Sequence, residues 1–596
     1  MKKISKVVAL LTLTAGLLPM STGCADYLEV TPENSQVADD YWRTEADVEN
    51  ILFGGYYNLR STVETYLIPW GEVRLGMVYN AQSTTKLQSW QMTSSQSLCD
   101  WSTFYKIINI ANTVLERASE AQAADDTYSE AALRSHYCEA YFLRALSYFY
   151  LVRNFCDVPM PLKAYADDNI EINLPKSDEA TVIEQIKNDL RQALATGAAK
   201  ESFSTTWETK GRATKWAIYA LMADVCLWSE DYASCLQFCD ALLNAKGAKA
   251  PAFMATPTRS NYMSMFNPGN SNESIFELQY NYEEEQTNSL PILFDDVHAD
   301  KVYAVSPEAC SDFVNEYTSI VGDGEGSPVS LRESSRTYHA SFYPGASAGM
   351  AYGLSKGYVW KYIGSTTEDK KRTSTYYDPN FIIYRMADIM LMKAEAAFRL
   401  LQEMPADIQA MEKRVNDWIS EHSYEDWDDE LGDVVTVVDP MPDSIQTLKD
   451  AVDAWSKDNN NYKLMGITMI NRLRERAGFV AADNVAGSVY KLADPSEAYA
   501  ILETKGQQDL LEMVLNERKM EFLGEGKIWY DVLRMGRANG NQYKQDLLVE
   551  QVVKYNTSAS ESWIRSVLNS DNALFLPVPA SELERNSNLV QNPYYN

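Results

Sequence analysis

The sequence predicts a mainly α-helical protein, built as about four stacked helix pairs with long loop-rich inserts and a few short strands. Three observations lead there. Apolar residues recur at three- and four-residue spacing along several stretches, which marks one buried face of a helix. Two such stretches, Arg212 to Trp228 and Asp231 to Leu243, follow each other so closely that only a very tight turn can join them. Residues 61–100 and 245–378 break the pattern, being rich in Ser, Thr, Gly, Asn, Pro, Tyr and Trp.

In chain order, Lys2, Lys3 and Lys6 precede the twelve-residue apolar run Val7 to Leu18. That run is too short to span a bilayer and suits the hydrophobic region of a signal peptide. Small residues Ser21-Thr22-Gly23 lead to Cys24, the pattern of a bacterial lipobox, although Ser21 stands where Leu is usual. Residues 1–23 are therefore expected to be a signal peptide, Cys24 to carry the lipid anchor, and residues 24–596 to form one body. An ordinary secretory signal followed by a chance cysteine is the competing reading. No later stretch has the length of apolar run that a transmembrane helix needs.

Further along, Tyr137, Tyr141, Ala145, Tyr148 and Val152 line one face of a helix that Pro159 and Pro161 stop. Ser177 is a candidate N-cap for a helix running through Leu194 to Gly197. In the 212–243 pair, Ala217, Ala220 and Ala223 allow close approach. The pair looks like a degenerate tetratricopeptide (TPR) hairpin, which buries its apolar face only by stacking on neighbours. Phe381 to Leu401, Tyr462 to Ala477 and Gln507 to Leu523 read as further helices. Ser274 to Tyr280 and Tyr358 to Ile363 read as short strands, with Trp360 in the interior of the second, and residues 420–460 as an acidic surface excursion.

With 53 basic and 83 acidic residues the net charge is −30, and loss of Lys2, Lys3 and Lys6 would make it −33. Such a field repels phosphates and argues against a nucleic acid partner. A hydrophobic fraction of 45% suffices for a large core. Setting Cys24 aside leaves seven of the eight cysteines, an odd number without regular spacing, which does not look like a disulfide framework. Cys226, Cys235 and Cys239 read as small buried hydrophobes, because no convincing fourth ligand accompanies them.

Catalytic motifs fare poorly. His136, His298, His339 and His422 are scattered and form no metal-ligand pair. Gly345-Ala346-Ser347-Ala348-Gly349 matches the G-x-S-x-G nucleophile elbow, but Pro344 precedes it, Gly353 follows, and only His422 lies downstream. A small-residue loop explains it better. Glu283-Glu284-Glu285 reads as a solvated face rather than half of a glycosidase pair. Asp426, Asp428 and Glu430 begin like a calcium loop, yet Leu431 stands where glycine is required. No catalytic residue, metal or cofactor is expected.

A set of blocks carries a resemblance. Cys24-Ala25-Asp26-Tyr27-Leu28-Glu29-Val30-Thr31-Pro32 begins it, followed by Glu139 to Ala145 with Asp157-Val158-Pro159, and by Gly211-Arg212-Ala213-Thr214-Lys215. Tyr384 to Ala396, Glu517 to Gly526 with Trp529 to Arg534, and Leu576-Pro577-Val578-Pro579 with Gln591-Asn592-Pro593 complete it. In this order, from Cys24 to the last residues, they resemble the SusD/RagB family of nutrient-binding lipoproteins. The resemblance implies a TPR-type scaffold at the outer membrane of a Gram-negative bacterium, facing the cell exterior. It also implies a SusC-like TonB-dependent transporter as partner and an oligosaccharide, or in some members a peptide, as ligand. The blocks themselves read as scaffold, with Arg385 and Glu395, or Arg518 and Glu521, as helix-surface ion pairs and packing.

By the same resemblance, ligand contacts fall in residues 61–100 and about 280–355, segments already set apart by their composition. Candidates there are Trp70, Arg74, Asn80 and Trp90, then Tyr282, Tyr343 and Tyr352. Sugar rings stack on aromatic faces, and Arg and Asn supply planar donors to hydroxyls. Trp90, between the polar residues Gln88-Ser89 and Gln91, is expected to be the principal platform. The expected function is surface binding of a glycan and its delivery to the transporter. A peptide binder of the same family, a surface hydrolase and a purely structural TPR adaptor are the alternatives.

Overall fold

A computed structural model describes residues 41–165, 173–255, 259–294, 302–313, 342–343, 358–364, 377–428, 433–476 and 505–596. The expected signal segment, Cys24, Tyr352, Leu431 and the Gly345–Gly349 motif lie outside the described residues.

Helix α1 (Glu45–Thr62) starts at Thr44, whose hydroxyl accepts from Asp47 N while the Asp47 carboxylate accepts from Thr44 N, a reciprocal cap. The chain then winds through two wider turns, Val63–Leu67 and Pro69–Val73, into strand β1 (Val78–Asn80). Four helices follow with side-chain caps: α3 (Glu130–Phe155) on Ser129, α4 (Glu179–Ala195) on Asp178, α5 (Lys215–Trp228) on Thr214 and α6 (Tyr232–Leu243) on Asp231. Helix α2 (Ser102–Ala124) precedes them. The cap of α4 is Asp178 rather than Ser177, because Ser177 pairs with Val158 in a two-residue ladder. The α5–α6 turn is as tight as expected, with Glu230 at a φ of 61°.

Strands β2 (Ser274–Leu278), β3 (Tyr303–Val305) and β4 (Phe381–Arg385) lead to α7 (Met386–Arg399). The helix expected over Phe381 to Leu401 thus begins as a strand. Phe381-Ile382-Ile383-Tyr384 pairs antiparallel with β2, and its β-branched and aromatic side chains are buried on both faces. Only Tyr358–Val359 of the second expected strand is extended; Trp360–Ile363 forms a helical turn. The acidic excursion consists of α8 (Ala406–Glu421) and a hairpin of β5 (Ser423–Asp428) with β6 (Asp433–Val438), where Tyr424, Val434 and Val438 are exposed. Helices α9 (Asp443–Arg476), α10 (Gln507–Phe522), α11 (Ile528–Asn541), α12 (Glu550–Tyr555) and α13 (Glu561–Leu568) complete the set.

Pairs α1–α2, α3–α4, α5–α6 and α7–α9 pack within themselves, and α2 on α3, α4 on α5 and α6 on α7 link them into an array. α10 packs on α7 and α11 on α10. The scaffold is therefore mainly α and TPR-like. No helix among the described residues is long and apolar enough to cross a membrane.

The charged residues of the sequence blocks are not on helix surfaces. Arg385 is fully buried and binds Glu273 at 3.1 Å, Glu521 at 2.6 Å and Glu525 at 2.9 Å. Arg476 joins Glu273 at 2.6 Å, and Lys361 joins Glu525 at 2.5 Å. A second buried group ties Arg518 to Asp388 and Asp531, Lys527 to Asp388, and Arg534 to Glu395. Burial of this kind requires that each charge meet an opposite one, since desolvation penalises an unpaired ion by several kcal/mol.

The turn after α1 and the turn before α11 meet. A Cβ placed on Gly71 would lie 1.9 Å from the carbonyl oxygen of Gly526, so only glycine permits this backbone contact. Residues 571–595 strap across the N-terminal helices: Leu576 N donates to Asn154 O at 2.7 Å and Ala580 N to Ser94 O at 2.9 Å.

Candidate functional site

Three of the residues expected to face a ligand are core residues. Trp70 is fully buried, donates its indole N–H to Leu98 O at 2.8 Å and stacks on Phe104 with ring centroids 5.4 Å apart. Arg74 is 2% exposed; its Nη1 donates to Leu574 O at 2.8 Å and its guanidinium lies 5.3 Å from the centre of the Trp529 ring. Trp90 is 7% exposed and packs edge-on against Trp529. Of its polar sequence neighbours Gln91 is exposed, Ser89 half-buried and Gln88 buried, and the cover over its ring comes from the C-terminal part of the chain. The platform expected at Trp90 is therefore corrected to a buried packing residue. The Trp90 indole N–H and Arg74 Nη2 have no hydrogen-bond partner among the described residues.

Asn80 is half-buried and turns the chain: its Oδ1 accepts from Gln82 N and Ser83 N, both at 3.0 Å. Tyr282 is 42% exposed at the start of a single helical turn, its amide 3.3 Å from Asp378 Oδ2. Tyr343 pairs with Tyr358 through the backbone; its side chain, like Tyr352, lies outside the described residues.

What the 61–100 segment presents is the loop after β1, where Gln82, Ser83, Thr84, Lys86 and Gln91 are exposed. This loop is fastened from behind: Asn556 Nδ2 donates to Gln88 O at 2.8 Å and Gln88 Nε2 to Ser558 Oγ at 3.3 Å. Beside it stands Trp563 on α13, 38% exposed, whose indole N–H donates to Ser89 O at 2.9 Å. Sequence reasoning missed Trp563. The signal was present, since Ile564, Val567 and Leu568 form the buried face of α13 and Trp563 falls off that face. An indole held by its N–H with part of its ring in solvent can stack on a sugar ring, while the amide and hydroxyl side chains beside it meet the sugar's hydroxyls.

Other motifs contribute little. Glu283, Glu284 and Glu285 are exposed, His136 is buried with Nδ1 2.6 Å from Tyr128 OH, and His422 stacks on Trp418. Burial lowers the His136 pKa. Cys226, Cys235 and Cys239 are free and buried. Among the described residues no group of three or more His, Cys, Asp or Glu side chains is arranged to hold a metal ion. Two buried groups near the Gly71–Gly526 contact titrate abnormally. Desolvation raises Glu72 to about 8 although Gly526 N donates to it, and desolvation lowers Lys361 to about 8 despite Glu525.

The fold defines the class as a TPR-like helical array whose loops after β1 and β2 carry an elaborated polar surface. Two family models match the chain: the SusD family over residues 334–595, and a family described as starch-binding and associating with the outer membrane over residues 26–227. The chain belongs to the SusD/RagB family. SusD-like protein P38 of Formosa agariphila is 22% identical over 582 residues, covering 90% of this chain and 93% of the relative. A SusD-like protein of Bacteroides ovatus is 29% identical over 217 residues, 34% of this chain and 36% of the relative. A SusD superfamily structure from Bacteroides vulgatus superposes with a TM-score of 0.63 at 17% identity, covering 93% of this chain and all of that one (100%). A structure named as a laminarin-binding SusD-like protein gives 0.58 at 16% identity, covering 93% and 100%.

Proposed function

We propose that this protein captures a nutrient glycan at the outer surface of the outer membrane and passes it, chemically unchanged, to a SusC-like TonB-dependent transporter. Family membership across both halves of the chain supports the binding role, and a similar fold in a laminarin-binding protein supports the ligand class. The observation that carries the reading to a place on the molecule is Trp563, exposed and pinned to Ser89 beside the polar loop after β1. In this reading residues 1–23 are the signal peptide, Cys24 is the lipid anchor and residues 24–596 form one body. Asn80 shapes the ligand-facing loop, and Tyr282, Tyr343 and Tyr352 belong to a second ligand segment within 280–355.

The test has two parts. Calorimetric titration with laminarihexaose, maltohexaose, mannohexaose and xylohexaose should give saturable binding to at least one. Gentle detergent extraction at native expression should recover the protein with a large outer-membrane protein. Recovery alone, with no hexasaccharide bound, would overturn the reading.

A further inference from the structure

A cleft of about 1090 Å³ opens between the excursion helices α8 and α9 on one side and the starts and ends of α10, α11 and α7 on the other. None of its lining residues belongs to the 61–100 or 280–355 segments. We propose that this cleft is a second glycan-binding site, taking a neutral oligosaccharide chain; the inference rests on the glycan-binding reading above.

The lining is unusual in chemistry. Eight of its twenty-four lining residues are Asn or Gln, and Trp455 of α9 is half-buried within it. The Trp455 indole N–H and the side chains of Asn416 and Asn460 make no hydrogen bond among the described residues. A half-covered indole with a free donor and amides that both donate and accept match the flat C–H face and the hydroxyls of a sugar. The volume lies just above the roughly 300–1,000 Å³ range of ligand pockets, which suits a short chain rather than one monosaccharide.

Charge argues for a neutral ligand. Lys449 is held by Asp453 at 2.6 Å inside the cleft, and acidic and basic side chains are interspersed around it. A chain with a net charge of −30 repels sulfated or uronic acid polymers besides. The walls are braced. Gln402 N donates to Asn459 Oδ1 at 3.2 Å while Asn459 Nδ2 donates back to Gln402 O at 2.8 Å, fixing α9 to the segment after α7. On the opposite wall Gln507 Nε2 donates to the Phe398 and Arg399 carbonyls and its Oε1 accepts from Tyr543.

The experiment titrates wild type, Trp455→Ala, Trp455→Phe and Asn416→Ala/Asn460→Ala with the same four hexasaccharides. Melting temperatures establish that each variant is folded. The proposal expects two binding events per chain in the wild type. Trp455→Ala should weaken one of them at least ten-fold, Trp455→Phe should retain part of it, and the double amide variant should weaken the same event. Trp563→Ala should leave that event unchanged. Hexasaccharide binding that none of the cleft variants alters overturns the cleft while leaving the first reading intact. Binding to no hexasaccharide overturns both. Saturable binding of hexaalanine that Trp455→Ala abolishes, without a sugar doing the same, assigns the cleft to peptides and overturns the ligand class.

Discussion

Trp90 and Trp529, more than four hundred residues apart in sequence, meet edge to face with ring centroids 5.3 Å apart and planes inclined at 66°. The pair lies beneath the loop after β1, and Trp90 sits there with a φ of 55°.

Trp90→Ala should therefore act on stability. Removing a large buried aromatic from a packed layer is expected to destabilise the fold by about 3–5 kcal/mol. Differential scanning calorimetry would register a lower melting temperature, while glycan affinity of the folded fraction stays near wild type. Lost affinity with an unchanged melt would return Trp90 to the role of ligand platform.

Trp563→Ala should behave in the opposite way. One stacked ring with its hydrogen bond is worth about 1–3 kcal/mol in a binding site, so affinity for the bound hexasaccharide should fall roughly ten-fold to a hundred-fold. The melting temperature should move little, because the ring is partly in solvent. An affinity equal to wild type would remove Trp563 from the site.

Arg385→Met should fail where a surface ion pair would be tolerated. Glu273, Glu521 and Glu525 all converge on this guanidinium in the dry interior. Breaking a buried pair by deleting one partner typically costs about 3–5 kcal/mol, and three carboxylates lose a partner here. The checks are yield of folded protein and resistance to limited proteolysis; normal values for both would contradict the buried network.

Glu72→Gln tests a pH effect of defined sign. Burial raises the Glu72 carboxyl from its ordinary 4.5 to about 8, so the folded state holds a proton that the unfolded chain releases between those values. Its contribution is fully present below pH 4.5 and fades as pH rises through 8. The Gln variant, unable to ionise, should match wild type at pH 5 and melt higher at pH 8, by roughly 1–2 °C for a chain of this size. Lys361, lowered to about 8, acts in the opposite direction and above that pH, so the comparison is cleanest below it. A gap that shrinks from pH 5 to pH 8 would contradict the burial of Glu72.

Cys24→Ser should release an otherwise folded protein from the membrane fraction. Retention after a high-salt wash would overturn the lipid anchor.

Local signals carried most of the scaffold. The alanines of α5 and the prolines after α3 act on residues a few positions away, so they can be read in a window, while the cap of α4 falls one residue past the expected Ser177, at Asp178. The strand over Phe381–Arg385 could not be, since a short run of buried apolar residues fits helix and strand alike until a partner, here β2, decides. The candidate site was harder for the same reason. Polar residues around Trp90 describe its neighbours in the chain, whereas Trp529 and the strap describe its neighbours in space. Arg385 was likewise assigned to a surface because its carboxylates arrive from 112 to 140 positions away. Trp563 sits on a helix, outside the loop-rich segments whose composition marks a ligand surface.

The strap of residues 571–595 also sets an order of events. While the chain is being made, its earlier helices emerge with Arg74, Trp90 and the Asn154 carbonyl open to water, because their covering partners at Leu574, Trp529 and Leu576 are not yet synthesised. Those groups stay uncovered until residues 529–576 are in place. A chain lacking residues 571–595 is expected to keep its helices while Arg74 and the Asn154 carbonyl stand uncovered, the kind of species that chaperones hold and proteases clear. The strap thus closes the early helices with residues more than four hundred positions away, Leu574 over Arg74 and Leu576 against Asn154.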